Sequence, residues 1–369
     1  MGTRNDAKVN DLLDSAEQAG TFALATDEST YRSMLLRCRK HAGNAPELVS
    51  PAPRIFARRE LFDRLSPTVR ERHLLRALAL KNPTWVFCGP SAAVLYGLYV
   101  SNSRLDRVHI LGRSRVRPQK GIVVHYHDPA PGTSTAETET SRVLGTTATT
   151  PLQTVADCMR MLPFPEALAI ADSAARYYGI GRGALLAYLE RRFCGLPGVR
   201  TALAAARHAD ARSENGGESI VRGMMIEAGF DTPELQVEIP DALGGATLRV
   251  DFLWRLPDGR AIIGEFDGRE KLLDPARRSS REMARALRRE RSREARLTVG
   301  HASVIRIGSD LLGKPWELER LLDAYGVPRT ARAPRIACTE RIPSCRDARA
   351  GAERTNHQVR EAKNANRGF

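Results

Sequence analysis

The stretch LRVDFLWRLPDGRAIIGEFDGREK, Leu248 to Lys271, decides how the C-terminal third of the chain is read. Two apolar runs flank L-P-D-G-R, in which Pro257 and Asp258 suit a type I turn and Gly259 the left-handed position of a bulge, the common three-residue hairpin loop. This loop sets Leu256 against Arg260, and the same register sets Asp251 opposite Glu265. Alternation places Glu265 and Asp267 on one strand face with Asp251 across from them, Cβ atoms of the cross-strand pair ~5 Å apart. At an effective dielectric of ~20, two unit charges at that distance repel by about 3 kcal/mol. A proton or a cation has to offset that. Hard oxygen ligands favour Mg²⁺ or Mn²⁺ over Zn²⁺. If the acids simply lay on an exposed sheet face, Leu253 and Ile263 would share it, which makes a poor surface.

A further acid precedes the hairpin. The spacing predicts a helix over 218–228, ended by Gly229, whose apolar stripe runs through Val221 and Met225, so Glu218 faces inward. Taken alone, Glu218 reads as a first-turn carboxylate complementing the helix dipole; with the hairpin acids beside it, it reads as a further inward-facing acid.

An acid on a helix, Asp on one strand and Glu on the next resembles the PD-(D/E)XK nuclease superfamily. The motif is most similar to its branch related to very-short-patch-repair endonucleases and to the DUF559 domain, whose second strand reads Glu-x-Asp-Gly, as EFDG does here. The basic helix RALRRERSREARL and the strand SVIRI follow in matching order. The resemblance spans 211–327 and implies a restriction-endonuclease-like domain with a central mixed sheet. It also implies Glu218, Asp251 and Glu265 as ligands of Mg²⁺ (or Mn²⁺), and catalytic roles for Asp251, Glu265, Asp267 and Lys271. Asp267 stands where the superfamily carries Lys; Lys271, just past the strand, is the candidate to orient or activate the attacking water.

Charge points to the same partner. The chain of 369 residues carries a net +14, and most of it is concentrated. Ala276–Leu297 holds nine arginines against three glutamates, and 328–369 holds ten Lys/Arg against four acids. A polyanion is the expected partner, and DNA the commonest. Arg288, Arg289, Arg291 and Arg293 are candidate phosphate contacts. The 328–369 segment lacks periodicity and reads as a disordered basic tail.

The remainder reads as an α+β multidomain chain. A basic helix, Thr30–His41, followed by extended pieces near 47–50 and 54–57, reads as an abbreviated winged-helix-like segment over 1–62, with Arg32 and Arg37 toward nucleic acid. From 63 to 210 helices and strands alternate as an α/β middle domain, with Thr150 as N-cap and Pro151 in the first turn of one helix. WVFCGPSAAVLYGL and the run from Val143 to Arg176 resemble antitoxin-type AbiEi regulators, which place a winged helix before such a domain. His125 and His127 lie two apart on one strand with no third ligand in view, and read as exposed strand histidines. The six cysteines show no zinc-ligand spacing. No apolar run reaches the ~18 residues of a membrane span, and the N-terminus is polar, so a cytoplasmic protein without a membrane partner is expected.

Two functions remain open. One is a Mg²⁺-dependent DNA endonuclease or nickase. The other is an inactive DNA-binding regulator, the antitoxin of a type IV toxin–antitoxin-like system with a cognate toxin.

Overall fold

The structure, a computed structural model of the chain, describes residues 2–39, 45–112, 121–125, 139–241, 244, 247–268, 295–297 and 302–330. The N-terminal unit opens on helix α1 (Gly2–Gln18), an addition to the expected layout. Its polar sequence hides a stripe at helical spacing, Val9, Leu13 and Ala16, buried against Met34, Leu48 and Phe56. Helix α2 (Glu28–Arg37) is shorter than expected, and its start is fixed by Asp27, whose carboxylate accepts the Thr30 N–H at 2.9 Å. Strands β1 (Ala23–Leu24), β2 (Leu48–Ala52) and β3 (Ile55–Arg58) form a sheet in the order β1-β3-β2, antiparallel throughout.

The middle unit mixes helices with short strands. Helices α3 (Arg59–Arg64), α4 (Pro67–Lys81) and α5 (Gly89–Leu95) precede β4 (Val108–Leu111), which pairs in parallel with β5 (Ile122–His125). The hairpin β6 (Thr140–Val143) and β7 (Thr146–Thr149) leads into α6 (Pro151–Met161) and α7 (Phe164–Tyr178). Thr150 stands at the N-cap of α6 but makes no side-chain cap bond; its hydroxyl donates toward Glu139 instead. Helices α8 (Arg182–Phe193) and α9 (Val199–His208) complete a core built on alanine and leucine. Among the described residues no helix is long and apolar enough to cross a membrane.

Helix α10 (Gly216–Glu227) begins the C-terminal unit, with Asn215 as N-cap and Gly229 at φ +79° after its end. It lies along α7, where no side chain fits at Gly223, since a Cβ there would stand 2.6 Å from the Pro165 Cα. Four strands follow: β8 (Glu234–Ile239), β9 (Leu248–Arg255), β10 (Ala261–Asp267) and β11 (Ala302–Gly308), in the order β11-β10-β9-β8. The sheet is mixed, as expected: β10–β11 is parallel, the other pairs antiparallel. One face packs Phe252, Trp254, Ile262 and Ile305 on Val221 and Met225 of α10 and on Leu318 and Leu322 of α11 (Pro315–Ala324). The other gathers Leu253, Ile263 and Val304 with Leu297. The packed chain runs on to Thr330, beyond the expected start of the tail at 328, because Arg329 covers the Phe230 ring at 4.1 Å and pairs with Asp323 at 2.7 Å.

A buried ion pair joins the middle and C-terminal units. Both Arg222 and Asp172 side chains are at most 3% exposed, and the Arg222 guanidinium donates to both Asp172 oxygens at 2.8 and 2.7 Å. Arg222 also donates to the His208 carbonyl, and Asp172 accepts the Asp210 N–H, while the Arg222 Nε stays buried without an acceptor. Removing one partner leaves the other charge buried, so Asp172→Ala is expected to cost about 3–5 kcal/mol in chemical denaturation. The paired replacement of Asp172 by Leu and Arg222 by Met is expected to recover most of that loss.

Candidate functional site

The hairpin has the loop the sequence specifies. Leu256 N–H donates to the Arg260 carbonyl at 2.9 Å, Gly259 N–H to the Leu256 carbonyl at 3.0 Å, and Gly259 sits at φ +85°. The ladder then pairs Ala261 with Arg255 through to Gly264 with Phe252, the register that puts Asp251 next opposite Glu265. There the ladder stops. In a regular continuation the Phe266 N–H would meet the Val250 carbonyl. Here it donates to Asp251 Oδ2 at 2.9 Å, so the Asp251 carboxylate enters the opening between the strands and takes the place of a backbone acceptor.

The partner strand deviates at the same level. Gln236 of β8 lies between the pairs Leu235–Phe252 and Val237–Val250, in register with Asp251, and carries φ +52°. A non-glycine residue in that region costs on the order of 1–3 kcal/mol. The turn it makes brings its amide to the acids: Gln236 Nε2 donates to Asp251 Oδ1 at 3.1 Å and to Glu218 Oε2 at 3.2 Å. Glu218 is held from the other side as well. Its carboxylate accepts the Glu214 N–H at 2.8 Å and the Asn215 side-chain amide, while Asn215 Oδ1 accepts the Glu218 N–H. Glu218 is thus both a helix-capping group and a member of the acid pair, two roles the sequence left as alternatives.

Burial raises the Glu218 pKa to about 7; the Glu214 N–H pulls it down, and the Asp251 carboxylate pushes it up. Glu265 is buried at 6% exposure, and alternation sets it on the Ile263 side of β10, the side that the register gives Asp251 as well. Among the described residues no three His, Cys, Asp or Glu side chains gather closely enough to hold a metal ion. Glu218 and Asp251 remain as a pair of oxygen donors converging on one point. Two carboxylates with water and phosphate oxygens suit Mg²⁺, whereas Zn²⁺ would ask for more protein ligands.

The other expected site residues are dispersed. Asp267 is half exposed, its carboxylate 3.8 Å from the guanidinium of Arg306, which the parallel ladder sets beside Glu265. Arg306 is thus a cation on the strand beside Glu265 and Asp267. Lys271, Arg288, Arg289, Arg291, Arg293 and His127 lie outside the described residues. Arg32 is 76% exposed on α2 and pairs with Glu28, whereas Arg37 is spent inside its own unit on Glu47 and Asn10. His125 is no lone strand residue: its Nε2 stands 2.8 Å from His109 Nδ1, with the rings stacked. Burial, then the His125 charge, brings the His109 pKa down to about 4.

A cleft of about 1010 Å³ opens between α7 and the start of α10, lined among others by Ser101, Arg176, Tyr177, Asn215, Phe266 and Gly313. Glu218 and Asp251 are not in its wall, but Asn215 and Phe266, which bond to them, are. Tyr177 is 60% exposed in its wall.

No family model matches the chain. It is similar to uncharacterized protein MT2308 of Mycobacterium tuberculosis strain CDC 1551, with 36% identity over 193 residues. Uncharacterized protein Rv2248 of strain H37Rv gives the same figures. The match takes in 52% of this chain and 65% of each relative, so the chain spans just under two thirds of the curated relatives it matches.

The Glu218 pKa sets a pH dependence. The folded protein keeps the proton up to about pH 7, while an unfolded chain releases it near 4.5. This favours folding most below pH 4.5 and is lost as pH rises through 7. In EDTA, wild-type melting temperature is expected to fall between pH 5 and 8 relative to Glu218→Gln, with the variant the more stable at pH 8. Parallel profiles for the two would contradict the shift.

Proposed function

We propose that the C-terminal unit is a divalent-metal-dependent nuclease domain of PD-(D/E)XK type that hydrolyses phosphodiester bonds in DNA. The observation that carries this is the convergence of Glu218 and Asp251, from a helix and a splayed strand, on one shared donor beside an open cleft. Glu218 and Asp251 would hold Mg²⁺ or Mn²⁺, with Glu265 on the neighbouring strand joining through water. When bound, the cation supplies polarisation of the phosphate and a water of lowered pKa. The chain's own residues supply positioning. The Glu214 and Phe266 N–H groups fix the carboxylates, and Lys271 or Arg306 offers positive charge for the attacking water or the phosphate. The arginines of 276–297 and the basic C-terminus would track the backbone. Arg32 on α2 is the surviving candidate contact of a winged-helix-like N-terminus.

A second reading has its own support. Asp267 replaces Lys, and the described carboxylates form a pair rather than a triad. Both fit a DNA-binding regulator of antitoxin type, with a cognate toxin as partner, whose nuclease-like domain only holds DNA.

Plasmid nicking in Mg²⁺, Mn²⁺ and EDTA separates the two. Asp251→Ala and Glu265→Ala are each expected to abolish metal-dependent cleavage while leaving DNA affinity intact, and Lys271→Ala to slow it by on the order of 10²–10⁴. A protein that binds DNA and never nicks it with either metal would support the regulator. Deletion of 331–369, which removes nine Lys/Arg against four acids, is expected to weaken DNA binding uniformly and flatten its salt dependence. A salt slope unchanged by the deletion would show that this segment makes no phosphate contacts.

A further inference from the structure

Gln236 has no counterpart among the acids and bases read from the sequence, yet it is the residue on which the acid pair closes. Its Nε2 lies 3.1 Å from Asp251 Oδ1 and 3.2 Å from Glu218 Oε2, a single neutral donor between two carboxylate oxygens. A group bonded to both oxygens occupies the ground that a cation shared by them must take. The backbone is bent to deliver it: φ is +52° within a strand, a conformation that L side chains rarely adopt. Residues on either side, Leu235 and Val237, keep their pairing with β9, so the departure is confined to the one residue that reaches the acids.

We propose that Gln236 is a positioning residue that stands in for the cation in the metal-free protein, so that its side-chain amide must leave before the ion enters. The inference rests on the metal-dependent reading of the Glu218–Asp251 pair and concerns what sets the affinity of that site.

Two consequences of removing the amide compete. The carboxylates lose a donor that holds them together, which would loosen the site and weaken binding. The metal-free state also loses two hydrogen bonds to carboxylates, which by linkage strengthens binding by the same factor that it lowers metal-free stability. The remaining contacts decide between them. Asp251 is pinned independently by the Phe266 N–H, and Glu218 by the Glu214 N–H and the Asn215 amide. Neither carboxylate relies on Gln236 for its place, so the second effect wins.

The test is titration calorimetry of the full chain with MnCl₂, paired with thermal melting in EDTA. Gln236→Ala is expected to bind Mn²⁺ on the order of ten- to a hundredfold more tightly than wild type, the range set by a hydrogen bond to a charged acceptor. It is also expected to melt at lower temperature in EDTA. Gln236→Gly, which accepts φ +52° without strain, is expected to tighten binding likewise and covers the case in which the alanine variant misfolds. A purely structural Gln236 would lower stability and affinity together. Unchanged or weaker Mn²⁺ binding in both variants, with wild type binding and Asp251→Asn not, would overturn the stand-in role and leave the metal site standing. Absence of saturable Mn²⁺ binding in wild type would remove the metal site itself, and the stand-in role with it.

Discussion

One amide nitrogen shared between Glu218 and Asp251 is the contact around which the C-terminal unit is organised. Two carboxylates do not approach a common point in a partly buried sheet edge without a donor between them. Three departures from regular structure serve that approach. The β9–β10 ladder ends at Gly264 and Phe252, which frees Asp251 to take the Phe266 N–H. Gln236 turns to positive φ, which aims its amide between the strands and the helix. The start of α10 is capped by Asn215, which points the Glu218 side chain back along the first turn. Each is a local cost, and together they build a site where the fold alone would have made a plain mixed sheet.

Holding the start of α10 in place falls largely to the middle unit. Gly216 lies against the Tyr99 ring and Gly223 against Pro165, contacts that no larger residue would permit. The buried Arg222–Asp172 pair adds direction to that apolar contact, since the guanidinium is held at two nitrogens, Nη2 by both Asp172 oxygens and Nη1 by the His208 carbonyl, which fixes the rotation of one helix against the other. The site and the cleft beside it are therefore built by two segments of chain that sequence composition divides near residue 211. The middle unit reaches the cleft through α7, whose Arg176 and Tyr177 line it.

Much of this was legible in the sequence, and the omissions have physical causes. L-P-D-G-R dictates its own turn, and the turn dictates the register, so Asp251 opposite Glu265 follows from five residues. Glu218 could be placed inward from Val221 and Met225 alone, because a helix has one period. What alternation could not foresee is that the ladder opens at Asp251, whose carboxylate takes the Phe266 N–H in place of a backbone carbonyl. Gln236 was invisible for a related reason: a glutamine in a strand carries no signal, and its importance comes from a φ angle that only the assembled sheet reveals. Arg306 lay in plain view within SVIRI, but a parallel pairing across more than thirty residues is needed to bring it beside Glu265. Helix α1 was masked by its polar face, and Arg37 by an ion pair with Glu47 that sequence distance does not suggest.

The central claim is that Glu218 and Asp251 form a divalent cation site. Its most direct test is a crystal structure of the protein soaked in MnCl₂, with data collected at the manganese absorption edge. The account predicts one anomalous peak in coordination contact with Glu218 Oε2 and Asp251 Oδ1, and the Gln236 amide withdrawn from between them. A crystal without that peak, in which Gln236 Nε2 still bridges the two carboxylates at saturating Mn²⁺, would contradict it.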